Sequence, residues 1–398
     1  MQRIQITPRT DWQQKVETAG LLFHTLEDGT PYWDESAAYQ FTAAEIDTLE
    51  AGGNTLQEMC LAAAQHVIDN KRYAELDIPA EAIPAIEWAW NSEPPALYGR
   101  FDISWGGAAS GQAPKLLEYN ADTPTSLMEA AVIQWSWLEE VGPKLTTHSF
   151  LPFTAAKPDQ FNSLHEKLIA KWRDIGSYLV QPVYFAALDN PEDQLTLTYL
   201  RDTAQQAGLE TLQMFMEEIG WNDEQQAFMD PDEEPMRSIF KLYPWEAMLA
   251  EEFGPHALTS YQSVTSAVNW IEPIWKTLLS NKGILPILWQ LYPNHELLLE
   301  AHFEGPQSMR NYVRKPLLSR EGANITVVRD NATVAATEGS YHGRQIYQAL
   351  APEAIFEQRH PVLGLWMIDQ ECCGLGIRES SGLITDNFSS FVPHFFLP

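Results

Sequence analysis

Glu118-Tyr119-Asn120 puts two oxygen-bearing side chains at positions i and i+2 of an extended segment. Side chains with that spacing leave a strand on the same face and reach a common ligand. Arg100 and Asp102 repeat the spacing on the preceding alternating run, residues 97–104. If the two runs pair, Arg100, Asp102, Glu118 and Asn120 share one unusually polar face. Mg²⁺ takes hard oxygen ligands, typically one or two carboxylates completed by phosphate and water, and this set supplies them. The same alternation also suits a strand that turns one face to solvent, so spacing alone leaves both readings open.

The elements that must position this face can be read along the chain. Residues 97–104 and 115–120, with Gly106, Gly107 and Gly111 between them, predict a β-hairpin. Before it, residues 43–73 carry Leu49, Leu56, Cys60 and Ala64 at helical spacing, and a second helix over 84–90 is stopped by Pro94 and Pro95. After it, residues 178–188 read as a buried strand, 194–208 as a helix and 225–234 as an acidic loop. Residues 281–292 are apolar and aromatic, 312–316 form a short strand, and 319–323 have the polar, glycine-bearing make-up of a mobile loop. Residues 362–384 read as strand, Gly turn and strand, with Arg378 near a strand end beside Gly374 and Gly376, glycines that would let a ligand approach the backbone. The order is that of a mixed α/β protein without internal repeats.

Composition narrows the function classes. The chain has 398 residues, 45% apolar, with 14 Trp, enough for a large core in one compact unit with lobes. Against 54 Asp+Glu stand 25 Lys+Arg, a net charge of -29, and no basic cluster is present to meet a nucleic acid. A cationic small molecule would be attracted instead, although acidity also serves solubility. Three cysteines, Cys60, Cys372 and Cys373, suggest buried thiols, and the start MQRIQITPRTDW lacks an apolar signal core. With no run of eighteen apolar residues, a soluble cytoplasmic protein without a membrane partner is expected. Walker-type GxxxxGK[ST], a strand-to-helix GxGxxG and HExxH are all missing.

Four blocks in order carry a resemblance. Arg100-Phe101-Asp102 with Glu118-Tyr119-Asn120-Ala121-Asp122-Thr123-Pro124-Thr125, then the blocks at 281–289, 315–325 and 374–379, are together similar to the glutathionylspermidine synthase family. The match covers the synthetase part and not the amidase domain of its bifunctional members. It implies an ATP-grasp fold in which a carboxylate is phosphorylated by Mg-ATP and an amine displaces phosphate to give an amide. By resemblance, Asp102, Glu118 and Asn120 would hold Mg²⁺, and Lys282 and Lys315 would contact ATP. Arg100 and Arg378 would serve the transferring phosphoryl and the carboxylate, as catalytic and ATP-binding residues, and Arg320 would close over ATP from its loop. Thr123 and Thr125 would touch a peptide-like acid, though helix capping also accounts for them. Glu192 and Asp193 would meet the amine, though a helix N-terminus favours acids anyway. The implied division is a helical part over about 1–95, a metal and acid part over about 96–270, a lid-like ATP part over about 271–335, and closing strands over about 336–398. The alternatives are an ATP-grasp protein that binds nucleotide without ligating, and an ATP-grasp enzyme that forms no amide.

Overall fold

The computed structural model describes residues 1–145, 157–261, 263 and 267–397. Its centre is an antiparallel sheet in the order Ser390–Phe391, Glu371–Ser380, His360–Ile368, Tyr98–Ser104, Lys115–Asn120. Strand alternation sorts the side chains by face. Phe101, Ile103, Leu363, Leu365, Leu375 and Ile377 are buried in one core with Leu49, Leu56 and Cys60 of the long helix Ala43–Asp69. Arg100, Asp102, Glu118, Asn120, Trp366 and Arg378 face a cavity instead. The helix begins at a capping box: Thr42 Oγ1 accepts from the Glu45 amide, and the Thr42 amide donates to Glu45 Oε2.

Beside this sheet lies a parallel one, ordered Asn269–Ile271, Ser238–Leu242, Val183–Ala187, Thr211–Phe215. Every residue of Val183–Ala187 and Ser238–Leu242 is buried, the pattern of parallel strands covered on both faces. Just past their carboxyl ends, Leu188, Asn190, Leu242 and Pro244 reach the cavity, the usual position of ligand crevices in parallel sheets. A second antiparallel sheet, Ala301–His302, Gln345–Ala349, Tyr312–Pro316, Thr326–Arg329, Ala332–Ala336, is fastened to the Lys115–Asn120 strand. Lys315 Nζ donates to the Leu117 carbonyl at 2.9 Å, and Gln348 Nε2 donates to that of Leu116 at 3.0 Å.

The hairpin and the 312–316 strand stand where the sequence puts them, and several other expectations are corrected. The 178–188 strand shortens to Val183–Ala187, because Gly176–Tyr178 is a 3-10 turn and Pro182 has no amide to pair. The 225–234 loop contains a strand, Ala227–Met229, hairpinned to Gly220–Asn222. The turn near the C-terminus is not made by glycine: Asp369 and Gln370, at φ 51 and 65, form a two-residue hairpin loop between paired Ile368 and Glu371. Gly374 and Gly376 sit inside the Glu371–Ser380 strand, where their missing side chains make room for neighbouring residues, and Gly376 also lines the cavity. A Cβ on Gly374 would lie 2.6 Å from Leu164, and one on Gly376 2.9 Å from Phe391.

Helix Ala43–Asp69 crosses the central sheet closely at Gly53, where an added Cβ would meet Cys372 Sγ at 2.7 Å. Its neighbour Gly52 has ordinary room, with Leu297 at 3.5 Å. Helix propensity favours Ala over Gly by about 1 kcal/mol, whereas overpacking costs about 1–3 kcal/mol. Urea unfolding should therefore show Gly53→Ala destabilised and Gly52→Ala unchanged or stabilised. Equal midpoints for the two variants would contradict this packing.

Candidate active site

Pairing of Tyr98–Ser104 with Lys115–Asn120 sets Asp102 opposite Glu118 and Arg100 opposite Asn120. The same rows continue across the sheet, from Asp102 to Gly364 and from Arg100 to Trp366. Gly364 leaves the space Arg100 uses: a Cβ there would stand 2.9 Å from Arg100 Cδ. Arg100 Nε donates to Asp102 Oδ1 at 2.7 Å, its Nη1 donates to the Thr125 carbonyl at 2.7 Å, and its guanidinium lies 5.6 Å from the Trp366 ring centre.

Glu118 is the electrostatic hub. Lys282 Nζ approaches its Oε2 at 3.1 Å and also donates to the Ser319 carbonyl at 2.5 Å. Burial pushes the Glu118 carboxyl up, but Lys282, Lys315 and Arg100 outweigh it and hold it down at about 2. Burial acts the other way on Lys315, lowering it to about 8 although Glu118 supports its charge. Lys282 owes its place to a buried turn, in which Asn281 Nδ2 donates to the Leu76 carbonyl and Asn281 Oδ1 accepts from the Gly283 amide. Helix Ile284–Leu291 follows at once.

Asn120 Nδ2 lies 3.3 Å from Asp102 Oδ2 and 3.5 Å from Glu118 Oε1, so the three side chains converge. Two carboxylates and an amide are donors suited to a hard divalent cation. Among the described residues no group of three or more His, Cys, Asp or Glu could hold a metal. A cation at this convergence would need substrate oxygens to complete its shell, which is how Mg²⁺ is usually bound beside phosphates.

All twelve candidate residues line a single cavity of about 670 Å³. Glu192 and Asp193 enter it from the first turn of helix Pro191–Gln206, whose cap is Asn190, with Oδ1 accepting from the Asp193 amide. Burial, helped by the Glu192 charge, raises the Asp193 carboxyl to about 6 even though Asn190 and Arg320 pull it down. Thr123 Oγ1 accepts from Arg320 Nη1 at 2.6 Å, and Thr123 and Thr125 lie in irregular chain ahead of the helical residues that start at Leu127. Arg378 Nη2 donates to the carbonyls of Asp386 and Ser389, both at 2.9 Å, and the guanidinium sits 5.5 Å from the Tyr32 ring centre. Its Nε is buried without a partner, a charged donor left over for an anionic oxygen. The 319–323 loop, expected to be mobile, makes contacts at two adjacent residues: Arg320 pairs with Glu246 at 2.8 Å, and Asn387 donates to Glu321 at 2.6 Å.

Sequence reasoning missed the residues that support this face. Asp122, inside the quoted motif, accepts from Lys241 Nζ at 2.6 Å and from the Trp245 amide at 2.9 Å, fully buried. A signal existed in Lys241, the one charge in the strand Ser238–Leu242, since a buried lysine demands a partner. Glu129, buried in a π-turn behind the cavity wall, accepts from Tyr32 Oη at 2.7 Å, and burial raises it to about 7. Nothing local marks Glu246 or Glu129 in the sequence.

Comparison with known proteins bears on this arrangement. Residues 3–397 match the family described as glutathionylspermidine synthase preATP-grasp. A Haemophilus influenzae protein provisionally called an acid–amine ligase is 37% identical over 406 residues, covering 98% of both chains. The trypanothione synthetase of Crithidia fasciculata is 29% identical over 83% of this chain and 52% of its own length. The bifunctional glutathionylspermidine synthetase/amidase of Escherichia coli is 26% identical over 78% of this chain and 51% of its own. The chain thus spans about half the length of these two relatives. In fold it is similar to a glutathione synthetase-like effector from Globodera pallida, with a TM-score of 0.55 at 8% identity over 97% of this chain and 96% of that one. No described helix is long and apolar enough to cross a membrane. The chain therefore has an ATP-grasp-type mixed α/β fold, and it belongs to the glutathionylspermidine synthase family.

Proposed function

We propose that this protein is a Mg-ATP-dependent acid–amine ligase joining a peptide-like carboxylate to an amine through an acyl phosphate. The observation that carries the reading is the pairing, in one cavity, of Glu118 and its two lysines with an acidic wall at Glu192 and Asp193. Phosphoryl transfer needs positioning and charge neutralisation more than a nucleophilic side chain, and the cavity offers that. Asp102, Glu118 and Asn120 would hold Mg²⁺, which neutralises phosphate charge when bound. Lys282 and Lys315 face the triphosphate from the strand and turn that flank Glu118. Arg100 and the free Nε of Arg378 hold the acid's carboxylate and the transferring phosphoryl, with Thr123 and Thr125 beside them and Arg320 over ATP from its loop. A carboxylate oxygen attacks the γ-phosphorus as the bond to ADP breaks. The amine nitrogen then attacks the acyl carbon, and phosphate leaves with loss of one amine proton.

The lobes would act as one unit, with the central and parallel sheets presenting acid and amine and the second antiparallel sheet covering the nucleotide. A di- or polyamine suits the amine site, since one nitrogen must react while another anchors on Glu192 and Asp193, and the far field of a -29 chain attracts polycations.

The decisive measurement is ADP release by purified protein with Mg²⁺, ATP and panels of acids and amines, with products weighed by mass spectrometry. ADP formation requiring both co-substrates is expected, and its failure across peptide-like acids and amines would remove the ligase reading. Glu118→Gln should lower kcat at least about 100-fold at saturating Mg²⁺, because the neutral amide is a poor ligand for a hard cation and leaves both lysines without their counter-charge. Retained activity would take Glu118 out of the site.

Asp193, titrating at about 6, is anionic above that pH and neutral below it. The amine KM should therefore rise as pH falls through about 6. The double variant E192Q/D193N should show a raised amine KM at every pH, without that inflection and with unchanged ATP affinity by calorimetry. A wild-type KM in the double variant would refute the anchor.

A further inference from the structure

Two adjacent residue pairs hold each other across the cavity wall. Asp122 Oδ2 accepts from the Trp245 amide at 2.9 Å, and the next residues, Thr123 and Glu246, jointly hold Arg320. Asp122 Oδ1 is meanwhile paired at 2.6 Å with Lys241 Nζ, and both side chains are essentially inaccessible, at 1% and 0% exposure. Lys241 also donates to the Tyr243 carbonyl at 2.9 Å and lies 4.7 Å from the Trp245 ring centre. We infer that Glu246 is a positioning residue for Arg320, and that the buried Asp122–Lys241 pair sets where Glu246 stands.

The geometry gives each contact a consequence. Arg320 spends its three nitrogens on two partners: Nη1 on Thr123 Oγ1 at 2.6 Å, Nη2 on Glu246 Oε1 at 2.8 Å and Nε on the same oxygen at 3.3 Å. A fork held at both ends has little rotational freedom left. Neither partner belongs to the sheet that carries Arg320. Thr123 follows the Lys115–Asn120 strand, and Glu246 lies in the first turn of helix Trp245–Ala250, whose first amide donates to Asp122. The pair is not a loose surface contact, because the two side chains are only 31% and 22% exposed. Burial pushes the Glu246 carboxyl up, yet Arg320 and then Lys241 hold it below the ordinary carboxylate range.

The central and parallel sheets, and not the loop's own sheet, therefore decide where Arg320 stands. Glu192 and Asp193 follow the end of the neighbouring Val183–Ala187 strand, so the proposed amine wall and the Glu246 anchor of Arg320 both follow paired strands of one sheet. Arg320 is also among the charges that act on Asp193. Docking of the 319–323 loop and occupation of the amine wall are coupled through it. This inference rests on the ligase reading for its kinetic consequence and on geometry alone for the docking.

Two readouts keep those apart. Without substrates, hydrogen exchange of residues 317–324 should be about tenfold or more faster in E246Q than in wild type, because a charged partner has become neutral. The folded double variant D122N/K241M, which removes both buried charges and leaves an acceptor for the Trp245 amide, should show the same loosening. With substrates, Arg320→Ala should cost about 100-fold in kcat in the wild-type background and less than about tenfold in E246Q, where Arg320 is already misplaced. Wild-type exchange in both E246Q and D122N/K241M, or a full Arg320→Ala penalty in the E246Q background, would overturn the inference. No ADP from the wild type with any acid and amine would instead overturn the ligase reading, and the exchange comparison would still stand.

Discussion

Glu118 is a carboxylate that the fold cannot leave alone. It stands on a strand that packs Leu116 and Tyr119 into the main core and turns Glu118, part-buried, to the cavity, where an unpaired charge is costly. The surroundings answer with cations brought from far along the chain: Lys282 from a turn before a buried helix, Lys315 from a strand of another sheet, Arg100 from the neighbouring strand. Each carries its own supports, such as Asn281 beneath Lys282 and Gly364 beneath Arg100. The positions of two sheets and one helix are in this sense tied to a single negative charge.

Charge is distributed unevenly as a result. The chain carries roughly half as many Lys and Arg as Asp and Glu, 25 against 54. Around the cavity the balance is nearly even, with Arg100, Lys282, Lys315, Arg320, Arg329 and Arg378 facing seven carboxylates. An acidic exterior field with a locally cationic floor suits a site that must hold phosphate and carboxylate while drawing in an ammonium.

The three sheets contribute by different means. The central sheet fixes its residues by register, so a slip of one residue would turn Arg100, Asp102, Glu118 and Asn120 into the hydrophobic core. The parallel sheet contributes its carboxyl ends, where the chain leaves regular structure and can present Asn190 or Pro244. The second antiparallel sheet contributes one lysine and a loop, and the bonds that hold it to the rest include those of Lys315, Gln348 and Arg320 and those of Lys282 to Leu317 and Ser319. Coverage of the site depends on those bonds.

Local pattern determined a good deal. Two-residue alternation placed Arg100 with Asp102 on one face and Glu118 with Asn120 on another, because side chains two apart in a strand share a face, and a hairpin between the two runs would join the pairs. The 98–104 and 115–120 strands, the long helix from Ala43 and the short 312–316 strand could be read because each rests on contacts within a few residues. Ordered blocks of resemblance supplied the rest of the candidate set. Tertiary structure alone decided which lysine meets Glu118, that Gly374 and Gly376 serve Leu164 and Phe391, and that Arg320 answers to Glu246. These contacts join residues separated by tens to hundreds of positions, and their energy exists only once the sheets have assembled. A glutamate that opens a short helix looks the same in sequence whether it faces water or an arginine from another sheet, and only the packing of the parallel sheet against the cavity tells the two apart.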